Sequence, residues 1–140
     1  MTTTIEPQPA GFVPWPHRSP VLDALGPFAR HEDDPLRAGF VVTANKLNSR
    51  GFLHAGVVSA FADVVIGHAL SAAAPDGARY VTVSLSCEYL DTARLADWVD
   101  AEVTRHKIGR RVASGTMVLA RSASVIATAH ALFLAAEPGR

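Results

Sequence analysis

A single carboxylate, Asp63, lies in the middle of a strongly apolar segment that begins at Ala55 and contains no proline until residue 75. At ~100° per residue, Gly56, Ser59 and Gly67 share one narrow helical stripe with it. Small neighbours leave room for another molecule to approach the acid, and an ionised carboxylate in apolar surroundings is costly unless it is paired or hydrogen-bonded. The helix alone leaves two interpretations open, a catalytic acid and a structural aspartate satisfied by a hydroxyl or a backbone amide.

The start of this helix offers a second reactive feature. The N–H groups of Ala55 and Gly56 lie at the positive end of the helix dipole, where an oxygen that becomes negative is stabilised. An acid and an oxyanion site in one segment suggest acyl chemistry. A rise of ~1.5 Å per residue separates Ala55 from Asp63 by ~12 Å, so one chain cannot bring both to the same carbon. If both take part, two antiparallel copies of the helix form the site, and we infer a two-fold dimer.

The order Asn48, His54, Ala55-Gly56, Asp63 resembles the motif N-x5-H-G-G-x6-D of the hotdog-fold acyl-CoA thioesterases of the phenylacetate-pathway type. The resemblance covers residues from about 37 to 134. It implies an α+β hotdog fold, in which an antiparallel sheet wraps around a long central helix. It also implies a homodimer as the smallest working unit, and a dimer of dimers as a further assembly.

The same resemblance implies a role for each matching residue. Asp63 corresponds to the general base or nucleophile that activates the attacking water. The N–H of Ala55, with Gly56 beside it, corresponds to the oxyanion donor, while Asn48 helps to hold the thioester or the water. His54 supports the loop and the acyl carbonyl. Alanine replaces the usual glycine at position 55; it keeps the N–H, but its methyl group narrows the approach.

Residues 80–90 alternate between apolar and polar side chains, which predicts a central strand with one polar face carrying Thr82 and Ser84. A polar face normally contacts solvent. The resemblance offers another interpretation, in which Thr82 matches a serine or threonine that lies next to the catalytic acid and helps to place the water. Ser84 stands where many relatives carry an acid.

Four basic residues surround the turn at Gly109, namely Arg105, Lys107, Arg110 and Arg111. Such clusters are commonly the solvated tips of hairpins. Coenzyme A carries a pyrophosphate and a 3′-phosphate, which arginine binds through paired N–H donors. The resemblance makes this turn a candidate contact for the nucleotide end of the substrate.

The other elements follow from periodicity and turn residues. The sequence predicts a short helix over 19–25, extended segments over 28–31 and 36–44, the long helix over 55–74, and strands over 80–90, 95–108, 111–120 and 124–135. That order indicates an α+β domain with an antiparallel sheet over residues 19–140. Prolines at 7, 9, 14 and 16 predict an extended or disordered leader over 1–18, whose Phe12, Val13 and Trp15 can still dock on the domain.

Composition narrows the classes of function. The chain has 140 residues with Lys+Arg 13 and Asp+Glu 13, so no excess charge favours nucleic acid or an anionic membrane. The single cysteine, Cys87, excludes an internal disulfide and indicates a reducing compartment. No signal peptide is recognised, and Asp63 and His68 within the long helix argue against a membrane span. No spacing of histidine, cysteine or acids suits a metal, and we expect a cytoplasmic protein.

The sequence therefore predicts a thioesterase that hydrolyses an acyl-CoA to a free acid and coenzyme A, with the coenzyme A thioester as substrate and no other cofactor. Two alternatives remain. The same fold serves hydratases and dehydratases, which pair a histidine with an acid, and only His54 lies near the loop here. A non-catalytic acyl-CoA binding module would require Asp63 for structure alone.

Overall fold

The structure is a computed structural model that describes residues 8–136. The first seven residues of the expected leader and the last four of the expected domain lie outside this range. Within residues 8–136, two helices and seven strands follow one another: β1 (Phe12–Pro14), α1 (Pro20–Leu25), β2 (Ala29–His31), β3 (Arg37–Val41), α2 (Ala55–Ser71), β4 (Tyr80–Tyr89), β5 (Trp98–Ile108), β6 (Val112–Arg121) and β7 (Ser124–Ala135). Short 3-10 turns at Ala44–Lys46 and Pro75–Gly77 flank the long helix.

The strands form one antiparallel sheet in the order β1-β2-β3-β5-β6-β7-β4, and α2 packs against β4 to β7. This confirms the predicted hotdog architecture of an antiparallel sheet around a long central helix. No helix within the described range is long and apolar enough to cross a membrane.

The core lies between α2 and the face of the sheet that packs against it. The buried positions of α2 recur every three to four residues, as on one side of a helix: Val57, Val58, Phe61, Ala62, Val65, Ile66, Ala69 and Leu70. They meet alternate residues of the long strands, such as Met117 on β6 and Phe133 on β7, which are both buried. Asp63 and Ser59 lie outside this buried set and are partly exposed. The predicted stripe of small and polar residues is therefore the part of α2 that the sheet leaves accessible.

Part of the expected leader is regular structure, which corrects the prediction that its prolines prevent any. Phe12–Pro14 pairs with Ala29–His31 as the outermost strand, β1. An edge strand needs hydrogen bonds on one side only, so a proline at its end is tolerated. Phe12 is buried against Trp98, and the N–H of Trp15 donates to the carbonyl oxygen of Phe28 at 3.0 Å.

Strand β4 lies at the edge of the sheet, so its prediction as a central strand is wrong for the single chain. The alternation of its side chains is also interrupted. Thr82 pairs with Phe133 and Ser84 pairs with Leu132, which makes Val83 an extra residue in a β-bulge. The bulge places Thr82 on the helix-facing side, together with Leu85, whereas strict alternation assigns these two residues to opposite faces.

Candidate active site

The acid of the predicted motif is held by a hydroxyl from the edge strand. Thr82 donates its Oγ1–H to Oδ1 of Asp63 at 2.5 Å, from β4 to the middle of α2. The other carboxylate oxygen, Oδ2, has no donor among the described residues. The bulge at Val83 makes this contact possible because it turns Thr82 toward the helix. The carboxylate is thus fixed through one oxygen and remains available through the other.

His54 caps the start of α2 with its side chain. Its backbone is extended, with φ −70° and ψ 132°, and its Nδ1 accepts from the N–H of Gly56 at 2.7 Å. Because Nδ1 accepts, the proton of the neutral ring is on Nε2. The carbonyl oxygen of His54 accepts from the N–H groups of Val57 and Val58 at 3.0 and 3.3 Å.

These contacts distinguish between the two predicted oxyanion donors. The N–H of Gly56 is occupied by His54, whereas the N–H of Ala55 has no acceptor in residues 8–136. A Cβ on Gly56 would lie 2.9 Å from Nδ1 of His54, closer than ordinary van der Waals contact. Glycine at position 56 therefore permits the histidine cap, and the cap leaves Ala55 as the donor that faces outward at the helix start.

Asn48 organises the loop before the helix. Its Oδ1 accepts from the N–H groups of Arg50 and Phe52 at 2.9 and 3.1 Å, and its own N–H donates to the carbonyl oxygen of Phe52 at 2.7 Å. Gly51 completes the turn with a positive φ of 82°, which glycine adopts without strain. The side-chain nitrogen of Asn48 has no acceptor in the described part of the chain.

A buried lysine, which the sequence analysis did not single out, supports the same loop. Lys46 is fully buried and its Nζ donates to Oγ1 of Thr43 at 2.7 Å. The ammonium lies 5.5 Å from the ring centroids of both Phe28 and Phe40. Burial lowers its pKa from 10.5 to about 8. The carbonyl oxygen of Lys46 accepts from the N–H of His54 at 2.8 Å, so this residue anchors the segment that positions the cap.

Two cavities meet the start of α2. One, of about 190 Å³, is lined by Asn48, Ala55, Val58, Tyr89, Asp91 and Ile126 among others. The other, of about 260 Å³, lies on the opposite side of the loop and is lined by Leu25, Asn45, Leu47, His54, Gly56 and Val57. We call these the Tyr89 cavity and the Leu25 groove. Of these two, the Tyr89 cavity is the one that includes Ala55, whose N–H is the unoccupied donor.

The basic residues predicted around Gly109 do not form one group. Arg105 turns under the end of α2, where its Nε donates to the carbonyl oxygen of Ala69 at 2.8 Å. Its partner across the sheet is Gly115, which has no side chain. A bulge at His106 separates Arg105 from Lys107 along the strand. Lys107, Arg110 and Arg111 are exposed. Arg105 therefore differs from the other three, because it is half-buried and its Nε is tied to the helix.

His68 lies away from Asp63, as its position on the helix predicts. Its ring contacts the indole of Trp15, with centroids 4.9 Å apart. Burial lowers the pKa of His68, and the nearby charges of His17 and Arg30 act in the same direction. This histidine is thus a packing residue between the N-terminal segment and α2.

The hotdog fold, the acid on its central helix and the free N–H at the helix start define a thioesterase-like protein. Residues 50–126 match the model of the Thioesterase superfamily. The chain belongs to this superfamily, and its reaction class is that of a hydrolase.

Individual relatives agree with this assignment. Over 127 residues the chain is 32% identical to a protein of Pseudomonas aeruginosa whose name provisionally calls it an esterase, covering 89% of this chain and 95% of that one. It is 25% identical to a phenylacetic acid degradation-related protein of Ralstonia eutropha JMP134, with a TM-score of 0.66 and 92% of each chain covered. A Streptococcus mutans UA159 protein solved with bound acetyl CoA has the same fold, at 20% identity and a TM-score of 0.67 over 71% of this chain and 79% of that one.

Proposed function

We propose that this protein is an acyl-CoA thioesterase, which hydrolyses the thioester to a free acid and coenzyme A. The observation that carries the proposal is the pairing of two features on α2. Thr82 holds the Asp63 carboxylate with Oδ2 available, and the N–H of Ala55 is the uncommitted donor at the helix start. The acetyl CoA bound to the Streptococcus mutans protein supports this substrate class.

The two groups belong to different copies of the chain in the proposed site. They are separated by eight helical residues, or ~12 Å, which is too far to serve one carbon. Strand β4 is an open edge with two exposed valines, Val81 (57%) and Val83 (54%). An apolar open edge favours pairing with another strand. Antiparallel pairing of two β4 edges brings the two α2 helices side by side in opposite directions, as a two-fold dimer requires.

The chemistry follows from these positions. The thioester carbonyl accepts from the N–H of Ala55 and lies near Nε2–H of His54. The carboxylate of Asp63 from the second chain takes a proton from water while the water oxygen bonds to the carbonyl carbon. The tetrahedral intermediate then collapses, the carbon–sulfur bond breaks, and the proton passes to the departing thiolate. A positioned base contributes ~10²–10⁴ in rate and one oxyanion donor ~10²–10³.

Asn48 and the exposed basic residues have supporting roles in this proposal. The free side-chain nitrogen of Asn48 donates to the thioester or to the water. Arg110 and Arg111 contact the phosphates of coenzyme A through paired guanidinium donors, and Lys107 contacts them through its ammonium charge. Arg105 offers only its terminal Nη donors to a phosphate, since its Nε already donates to the carbonyl oxygen of Ala69.

The test is thiol release from a series of short, medium, long and aromatic acyl-CoA substrates, run with the wild type and with Asp63→Ala. We expect turnover by the wild type and a loss of about 10²-fold or more in the variant, with fold and assembly unchanged. Glu102→Gln is the matched control, because it removes an exposed carboxylate of β5. Full turnover by Asp63→Ala would refute the role of the acid.

The alternative functions give different results in the same experiment. A hydratase adds water to an enoyl-CoA without releasing thiol. A binding module binds acyl-CoA saturably and releases no thiol from any substrate. Either result with the wild type would refute the thioesterase proposal.

A further inference from the structure

The Tyr89 cavity opens beside the groups of the proposed reaction. Asn48 and Ala55 line one side of it, and its floor is apolar, formed by Val58 and Ile126, which are both buried. A carbonyl oxygen bound to the N–H of Ala55 therefore has this cavity next to it. The Leu25 groove meets Gly56 instead, whose N–H is already occupied by His54.

Tyr89 forms one wall of this cavity with its aromatic ring, which is the largest side chain among the described residues that line it. It lies at the end of β4 on the helix-facing side, paired with Ala127 of β7, and 48% of it is exposed. Its hydroxyl is 2.5 Å from Oγ of Ser59, which donates in turn to the carbonyl oxygen of Ala55 at 3.2 Å. This chain of hydrogen bonds fixes the ring against the first turn of α2.

Resting on the proposed function, we infer that Tyr89 determines acyl specificity by closing the cavity to all but compact acyl groups. The volume of about 190 Å³ is only somewhat larger than the ~150 Å³ of an apolar cavity that holds benzene. It accommodates a single ring or a chain of roughly six carbons on that scale. A longer chain would have to displace the ring of Tyr89 and break its bond to Ser59.

The hydroxyl and the ring make separable contributions. Tyr89→Phe keeps the wall and removes the hydrogen bond to Ser59, so the size limit is retained. Tyr89→Ala removes the wall, and each further methylene that the enlarged cavity buries improves binding by about fourfold. For two or three additional methylenes, the preference for long over short acyl chains therefore rises by roughly 15- to 60-fold.

The experiment measures kcat/KM across an acyl-CoA series from two to sixteen carbons, with aromatic members, for the wild type, Tyr89→Ala, Tyr89→Phe and Leu25→Ala. We expect the wild type and Tyr89→Phe to decline beyond about six carbons, and Tyr89→Ala to shift the ratio of long to short substrates at least tenfold. Leu25→Ala, which enlarges the other groove by a comparable apolar side chain, leaves the ratio unchanged. Thermal melting establishes that each variant is folded.

Measurements of binding test the role of Tyr89 independently of the proposed reaction. The same acyl series is titrated into Asp63→Ala and into Asp63→Ala combined with Tyr89→Ala, where turnover plays no part. A shift in relative affinity toward long chains supports the role of Tyr89 even if the wild type releases no thiol. Unchanged preference in the Tyr89→Ala variants, or a shift caused by Leu25→Ala instead, would overturn it.

Discussion

The hydroxyl of Thr82 donates to Oδ1 of Asp63, which joins the edge strand to the middle of the central helix. A threonine hydroxyl has one proton, so in this contact it orients the carboxylate and leaves Oδ2 free to accept from water. The geometry depends on one extra residue, Val83, in the bulge of β4. Thr82 is thus a positioning residue for the proposed base.

Replacing Thr82 by valine keeps the shape of the side chain and removes the donor. We expect kcat to fall by roughly tenfold or more, because a hydrogen bond to a charged group contributes about 1.5–3 kcal/mol. The KM changes little, since the substrate does not contact Thr82 in the proposed site. Steady-state kinetics checks this, with Thr82→Ser expected to retain most of the activity. Thr104→Val, at an exposed site on β5, is the matched control; an unaltered kcat in Thr82→Val would contradict the positioning role.

The contact between Gly56 and His54 makes a second prediction. Gly56→Ala places a Cβ 2.9 Å from Nδ1 of His54 and expels the capping side chain. The lost cap is expected to reduce the free energy of unfolding by about 1 kcal/mol, and the displaced loop lowers kcat. Gly67→Ala on the same helix is the control, because its Cβ meets only Phe133, at 3.4 Å. Urea unfolding should show Gly67→Ala to be as stable as the wild type or more stable. If Gly56→Ala and Gly67→Ala prove equally stable, the stabilising role of the His54 cap is refuted.

Local patterns in the sequence predict much of this fold. The proline-free apolar segment that begins at Ala55 and the alternation of residues 80–90 give elements whose bounds agree with the structure within a few residues. The short helix α1 begins as its residues predict, with Ser19 accepting from the N–H of Leu22. These features are fixed by residues close together in the chain, so sequence reasoning reaches them.

The features that sequence reasoning missed depend on distant residues. The edge position of β4 follows from the strand order, which no local pattern encodes, and the bulge at Val83 reflects its register with β7. Lys46 lies in a polar loop, where lysine is normally exposed. Its burial results from Phe28 and Phe40, which come from other strands or loops. The resemblance correctly placed Thr82 beside Asp63, whereas alternation placed it on the opposite face.

The open edge of β4 makes a prediction about assembly. Val81→Asp introduces a charge at an exposed position of this edge, and we expect it to convert a dimer into a monomer. Thioesterase activity should fall as the dimer is lost, because Ala55 of one chain and Asp63 of the other no longer lie in one site. Analytical ultracentrifugation and thiol release are measured together. Val21→Asp, equally exposed on α1, is expected to leave both unchanged; an active monomer would show that one chain suffices.

The buried charge of Lys46 makes the pH dependence of stability predictable. Its pKa in the folded chain is about 8, below the 10.5 of an exposed lysine. Between these two values the unfolded chain holds a proton that the folded chain has lost, so the contribution of Lys46 to stability rises with pH over this window. Below about pH 8 the folded state carries a desolvation cost of about 3 kcal/mol. The rings of Phe28 and Phe40 favour the charged form through cation–π contacts and so act against this cost.

Lys46→Met retains the length of the side chain without its charge. We expect this variant to be as stable as the wild type or more stable at pH 7, with its advantage shrinking as the pH rises from 8 toward 10. The measurement is urea unfolding of both proteins at several pH values, compared as a difference so that titrations common to both cancel. Lys107→Met controls for loss of an exposed lysine and is expected to show no such trend. If the difference in the free energy of unfolding stays constant with pH, Lys46 has the same pKa in the folded and unfolded chains. That result would refute the pKa shift and, with it, the desolvation of this ammonium beside the loop that holds His54.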